Sequence, residues 1–122
     1  MARLRDIVID CRHPASLARF WAAVLDDYEI APYDDEELAR LRAMGIDSPE
    51  GDPSVLVHRT DGTGPRIFLT LVPEPKTVKN RVHIDVDGDP TALLALGATV
   101  VAEYDDHHVL ADPEGNEFCA FP

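Results

Sequence analysis

The chain has 122 residues, 45% of them hydrophobic and 28% charged, which suits one globular domain and leaves too little chain for two ordinary ones. Its formal net charge of -12 argues against a nucleic-acid binder, because that affinity rests on Lys and Arg neutralising phosphates. The apolar stretch at the start, MARLRDIVID, is interrupted by Asp6 and Asp10, so neither a signal peptide nor a membrane span is expected, and the protein is placed in the cytoplasm.

Residues 4 to 11 alternate, with Asp6, Val8 and Asp10 on one face and Ile7, Ile9 and Cys11 on the other. This is the two-residue period of a half-buried strand. Pro14 suits the first turn of a helix, and Leu17, Phe20, Trp21, Val24 and Leu25 recur at helical spacing through residue 26. A short strand is expected at Tyr28 to Ala31. Asp34 to Met44 then reads as a second, surface-inserted helix with acids in its first turn and Gly45 at its end. Val55 to Arg59 and Arg66 to Val72 flank Asp61-Gly62-Thr63-Gly64 and read as a hairpin.

The segment VPEPKTVKNR, with Pro73 and Pro75, resists regular pairing and is expected to connect two halves. Val82, Ile84 and Val86 then alternate with His83, Asp85 and Asp87 on a strand, and a short helix follows over Pro90 to Leu96, closed by Gly97. Strands are expected at Ala98 to Glu103, near His107 to Ala111 and at Glu117 to Phe121, the last two joined by the turn Asp112-Pro113-Glu114-Gly115-Asn116. The expected class is α+β, with two βαβββ modules at about 1–73 and 81–122 and a connector over 74–80. DIVID in the first half answers HIDVD in the second, which sets Asp6 opposite His83. Ile7, Ile9, Val82, Ile84 and Val86 are expected to lie beneath the helices. The two cysteines, Cys11 and Cys119, are expected as thiols, without a disulfide.

The strings IDCRHPASLARFWAAVL, VPEPKTVKNRVHIDV, LGATVV and LADPEGNEFCAF together resemble the glyoxalase-like branch of the vicinal oxygen chelate superfamily. The resemblance covers most of the chain. It implies that the modules form a cup-shaped mixed sheet with helices outside, a small molecule on the concave side, and commonly a homodimer. Metal-using members of that superfamily place His, Gln or Glu at four cup-lining positions. On this chain those positions fall on Asp6, approximately Thr70, His83 and Cys119, of which His83 alone keeps the usual residue type.

His83 and Asp85, two apart on one strand, are expected to share a face, so that the carboxylate can orient the imidazole. A packed cavity histidine is the competing reading. Asp6, His83 and Cys119 offer an oxygen, nitrogen and sulfur set suited to zinc or iron, with Glu117 on the face of Cys119. In the competing reading Cys119 is a packed thiol and Asp6 a solvated strand residue. His107 and His108 point to opposite faces of a strand, and His107 is the candidate to line the cavity, with exposed turn residues the stronger competing reading. Lys76, Lys79 and Arg81 are placed to attract an anion or to tether the modules. Two functions follow: a small-molecule-binding protein with a degenerate metal site, or a metal-dependent lyase, isomerase or dioxygenase of the same superfamily. The candidate ligand-binding residues are His83, Asp85, Thr70, His107 and Glu117.

Overall fold

A strand β1, Asp6–Cys11, pairs in parallel with β4, Arg66–Leu71, and the chain between them supplies the other strands of this sheet and the helix packed on it. The computed structural model describes residues 1–122, in two units, Met1–Pro73 (unit 1) and Glu74–Pro122 (unit 2). In unit 1, α1 (Pro14–Val24) leads to β2 (Tyr28–Ile30), then α2 (Asp35–Ala43), a 3-10 turn (Pro49–Gly51) and β3 (Ser54–Arg59). The sheet order is β1-β4-β3-β2.

The alternating apolar residues decide which face of this sheet is covered. Val55, Val57, Ile67 and Leu69 are buried on one face, together with Leu17, Phe20 and Trp21 of α1. The helix packs on β2, β3 and β4, and Pro14 supplies its first turn. Ile7 and Ile9 are half-buried and Cys11 is buried. The opposite face carries Val8, Leu56 and Phe68 as register neighbours, and Val8 is 57% exposed.

The second helix, α2, is better anchored than a surface insertion needs to be. The side chain of Asp34 caps it by accepting from the Glu37 N–H at 2.9 Å, and acids in its first turn with Arg40 and Arg42 in its last suit the helix dipole. Leu41 is buried. The buried carboxylate of Asp52 accepts from the Tyr33 hydroxyl at 2.6 Å, from the Ser54 N–H at 3.0 Å and from Arg40 at 3.3 Å. Burial, then the hydrogen bond to Asp52, pushes the Tyr33 hydroxyl well above its usual pKa.

Unit 2 repeats the plan with β5 (Asp85–Asp87), α3 (Pro90–Ala95), β6 (Thr99–Glu103), β7 (His108–Ala111) and β8 (Glu117–Phe121). Its sheet order, β5-β8-β7-β6, is that of unit 1, and again the first strand lies parallel to the last. The α+β class with two βαβββ modules is therefore realised. Asp89 caps α3 by accepting from the Thr91 N–H. One face of the sheet is fully buried through Leu110, Phe118 and Ala120; the other carries Val109, Cys119 and Asp85 side by side in register.

The first strand of unit 2 is shorter than its alternation suggests. It begins at Asp85, and Val82 is 84% exposed, so Val82 does not lie beneath a helix. The Cys119 N–H still donates to the Ile84 carbonyl at 3.0 Å, but pairing ends there. The Glu117 carbonyl, which a longer ladder would use, accepts instead from the side-chain amide of Asn80 at 3.2 Å. Neither Cys11 nor Cys119 is in a disulfide.

Candidate functional site

Parallel pairing sets Asp85 directly opposite Cys119, and cross-strand partners of this kind project to the same side of a sheet. His83, just before the strand, turns its ring to Asp85, with Nε2 3.1 Å from Oδ1. One ligand-type atom from each of His83, Asp85 and Cys119 lies within 4.8 Å of the others. The imidazole and the carboxylate are about half exposed, at 41% and 58%, whereas Cys119 is 8% exposed. Burial, then the negative charge of Asp85 and a hydrogen bond to it, pushes the Cys119 thiol up, against an opposing pull from Lys79. The group combines a nitrogen, an oxygen and a sulfur donor, the classes that zinc accepts.

The register also tests the metal set that the resemblance implies. If Asp6 answers His83, as the DIVID and HIDVD strings align, then Val8 answers Asp85, and the partner of Val8 is Phe68. The counterpart of Cys119 is therefore Phe68, not Thr70. Thr70 lies opposite Asp10 and Ser54, its hydroxyl 3.4 Å from that of Ser54. Asp6 is held by a bidentate pair from Arg66, with Nε at 2.8 Å and Nη2 at 3.1 Å. A hydroxyl, a phenyl ring and a carboxylate committed to a guanidinium make poor metal donors, so the four-position set does not fit this chain. The structure groups His83 and Cys119 with Asp85, which the sequence cast as a ligand-binding candidate and as the group that orients the imidazole, outside the metal set.

Glu117 has a structural occupation. Its carboxylate accepts from the Asn80 N–H at 2.9 Å and from Lys76 at 3.1 Å, which ties the connector to β8. Those contacts, the Asn80 N–H first, hold Glu117 below the usual carboxylate range despite the opposing effect of burial. A depressed carboxyl pKa adds stability that is present above the unfolded value of about 4.3 and is lost as pH falls through the folded one. Glu117→Gln is accordingly expected to cost about 1 kcal/mol at neutral pH. It should also flatten the acid side of the stability curve, measured by urea unfolding between neutral pH and roughly pH 3. Equal acid sensitivity in both proteins would remove this assignment. Lys79 and Arg81, with Val78 and Asn80, line an open groove of about 580 Å³.

His107 precedes β7 and joins an aromatic stack. Its ring lies 5.0 Å from Phe121 at 18° and 5.0 Å from Tyr104 at 17°. Asp106 sits 2.7 Å from Nδ1, which favours the proton on that nitrogen and makes Nε2 the acceptor of a neutral ring. Tyr104 was not among the sequence candidates. Its only signal was a place three residues before His107, across the tight turn closed by the Tyr104 N–H to the His107 carbonyl.

With this geometry in view, comparison with known proteins is informative. The family described as glyoxalase-like domain matches residues 6–121. A glyoxalase/bleomycin resistance protein/dioxygenase family enzyme from Burkholderia phytofirmans superposes with TM-score 0.62 at 19% identity, covering 98% of this chain and 97% of that one. A fosfomycin resistance protein from Mesorhizobium loti gives 0.63 at 13% identity, with 99% and 91% covered. A hypothetical protein from S. aureus gives 0.63 at 14%, with 99% and 94% covered. No curated protein is detectably similar in sequence. The family match supports the vicinal oxygen chelate superfamily; at such identities the neighbours establish the fold alone.

Proposed function

The chain belongs to the glyoxalase-like domain family, and from that premise we propose that it binds a small organic molecule on the Cys119 face of unit 2, without the four-position metal site of the superfamily. The observation that carries this reading is the pairing on one sheet of a planar aromatic stack, Tyr104, His107 and Phe121, with the polar group His83, Asp85 and Cys119. Small-molecule sites combine apolar surface with a few directional polar groups in this way. Lys79 and Arg81 in the adjoining groove favour a ligand that carries negative charge. A metal-dependent lyase, isomerase or dioxygenase is the second reading, favoured by the close grouping of His83, Asp85 and Cys119.

The test is a thermal-shift screen of small organic acids and aromatic compounds, followed by calorimetry on each stabilising compound. Phe121→Ala is expected to weaken binding by roughly twofold to tenfold, the scale of one aromatic stacking contact. A hit whose affinity ignores Phe121, His107 and His83 together would place the ligand elsewhere. The same reading keeps the protein in the cytoplasm, supported by two cysteines outside any disulfide, to be checked by fractionation of the cells that make it. It also keeps a homodimer, supported by β1, β2, β5 and β6 standing at the ends of their four-stranded sheets, since edge strands invite pairing. Light scattering that returns the monomer mass at high concentration would remove the dimer.

A further inference from the structure

We propose that the ligand of unit 2 is an elongated organic anion with an aryl tail, its charged head in the groove at Lys79 and Arg81 and its ring against the stack of Tyr104, His107 and Phe121. This rests on the small-molecule reading above, to which it adds the ligand's length and direction.

The strand β8 sets the span. Glu117, Cys119 and Phe121 alternate onto one face, and at about 3.3 Å per residue the run from Glu117 to Phe121 covers about 13 Å. At the Glu117 end the connector is fastened beside this face. The Glu117 carboxylate accepts from the Asn80 N–H at 2.9 Å and from Lys76 at 3.1 Å, and the Asn80 side-chain amide donates to the Glu117 carbonyl at 3.2 Å. Asn80 lines the groove together with Val78, Lys79 and Arg81, so the groove opens at that end of β8. Lys79 is also close enough to Cys119 for its charge to act on the thiol. At the other end the His107 ring stacks on both Phe121 and Tyr104.

Charge decides which way round the ligand lies. Asp87 is exposed and is the register partner of Phe121, and Asp106 sits 2.7 Å from the His107 ring. These carboxylates repel an anion at the stack. At the connector end Lys79 and Arg81 are exposed cations, and Glu117 already has Lys76 beside it. The head therefore belongs at the groove and the uncharged ring at the stack. Between the two ends Cys119 and Val109 lie side by side in register, a small thiol and an aliphatic side chain that suit a methylene chain better than polar groups.

The experiment is calorimetry on the full-length protein with a series of ω-phenylalkanoic acids, from phenylacetic acid upward, and the matching alcohols. An extended chain advances about 1.2 Å per bond, so affinity for the acids is expected to peak at roughly six to eight methylenes. Changing Lys79→Ala and Arg81→Ala together should weaken the best acid by roughly threefold to tenfold, the scale of two exposed charge contacts, and leave its alcohol unchanged. Phe121→Ala should weaken the same acid by roughly twofold to tenfold. Phenylacetic acid, too short to reach both ends, should respond to one of these changes and not to both. Tyr104 is 58% exposed, so Tyr104→Ala disturbs the stack without touching β8 and replaces Phe121→Ala if that variant does not fold, as circular dichroism will show. Equal gains with chain length for acids and alcohols, or a best acid indifferent to the Lys79 and Arg81 changes, would overturn the proposal while a response to Phe121→Ala kept the small-molecule reading. A series in which no acid binds would overturn it as well, and the broader reading would then stand or fall on the thermal-shift screen.

Discussion

Trp21→Ala is expected to lower the unfolding free energy by about 3–5 kcal/mol, the usual range for deleting a large buried aromatic side chain. Trp21 is 2% exposed and sits beside Phe20 in an edge-on contact, with ring centroids 5.3 Å apart. Its helix, α1, also buries Leu17 and packs on β3 and β4, in which Val55, Val57 and Leu69 are fully buried. These β-strand residues are fixed by ladders on both sides, since β3 and β4 are the inner strands of the sheet, so the void left by the indole closes only partly. Urea unfolding followed by circular dichroism measures the loss. A change under about 1 kcal/mol would mean that α1 is not packed on this sheet as described.

Asp52→Ala is expected to cost about 3 kcal/mol, because it removes a buried charge that three donors share. Tyr33 and the Ser54 N–H lose this acceptor and Arg40 keeps only Glu37 as a charged partner, and with Asp52 goes the tie between α2 and the start of β3. The same contact has an alkaline signature. The folded pKa of Tyr33 is raised, so its contribution is intact below the unfolded value of about 10 and declines as pH rises beyond it. Tyr33→Phe should remove that decline while keeping the ring. Unfolding measured at neutral and alkaline pH separates the two effects, and a stability for Asp52→Ala equal to the unmodified protein would sink the account of this anchor.

Much of the fold was legible because its signals are local. Two-residue alternation assigned the covered face of β1, Pro14 marked the start of α1, and Gly45, at φ 78, stands where α2 ends. The hairpin glycines Gly62 and Gly64 also take positive φ, at 75 and 72, as the turn residues suggested. Register between strands far apart in sequence is a different matter. Alternation tells which side Asp6 and Cys119 face, but only the pairing of β1 with β4 shows that Arg66 captures Asp6 and that Phe68, not Thr70, answers Cys119. The expected strand over Val82 to Asp87 forms only from Asp85 onward, for a similar reason. Its alternation is real, but Asn80 and Glu117 make a tertiary contact that uses the hydrogen-bonding groups a longer strand would need. His83 kept its expected neighbour all the same, since Asp85 lies within 3.1 Å of its ring.

The central claim is that the Cys119 face of unit 2 is where a small molecule binds. Nuclear magnetic resonance with the tightest compound from the thermal-shift screen tests it most directly, through backbone and side-chain shifts recorded along a titration. The account predicts that the largest shifts fall on His83, Asp85, His107, Val109, Cys119 and Phe121, alternating along β8 so that Phe118 and Ala120, buried on the opposite face, move least. Shifts concentrated on Phe118, Ala120 and Leu110, or confined to unit 1, would contradict it.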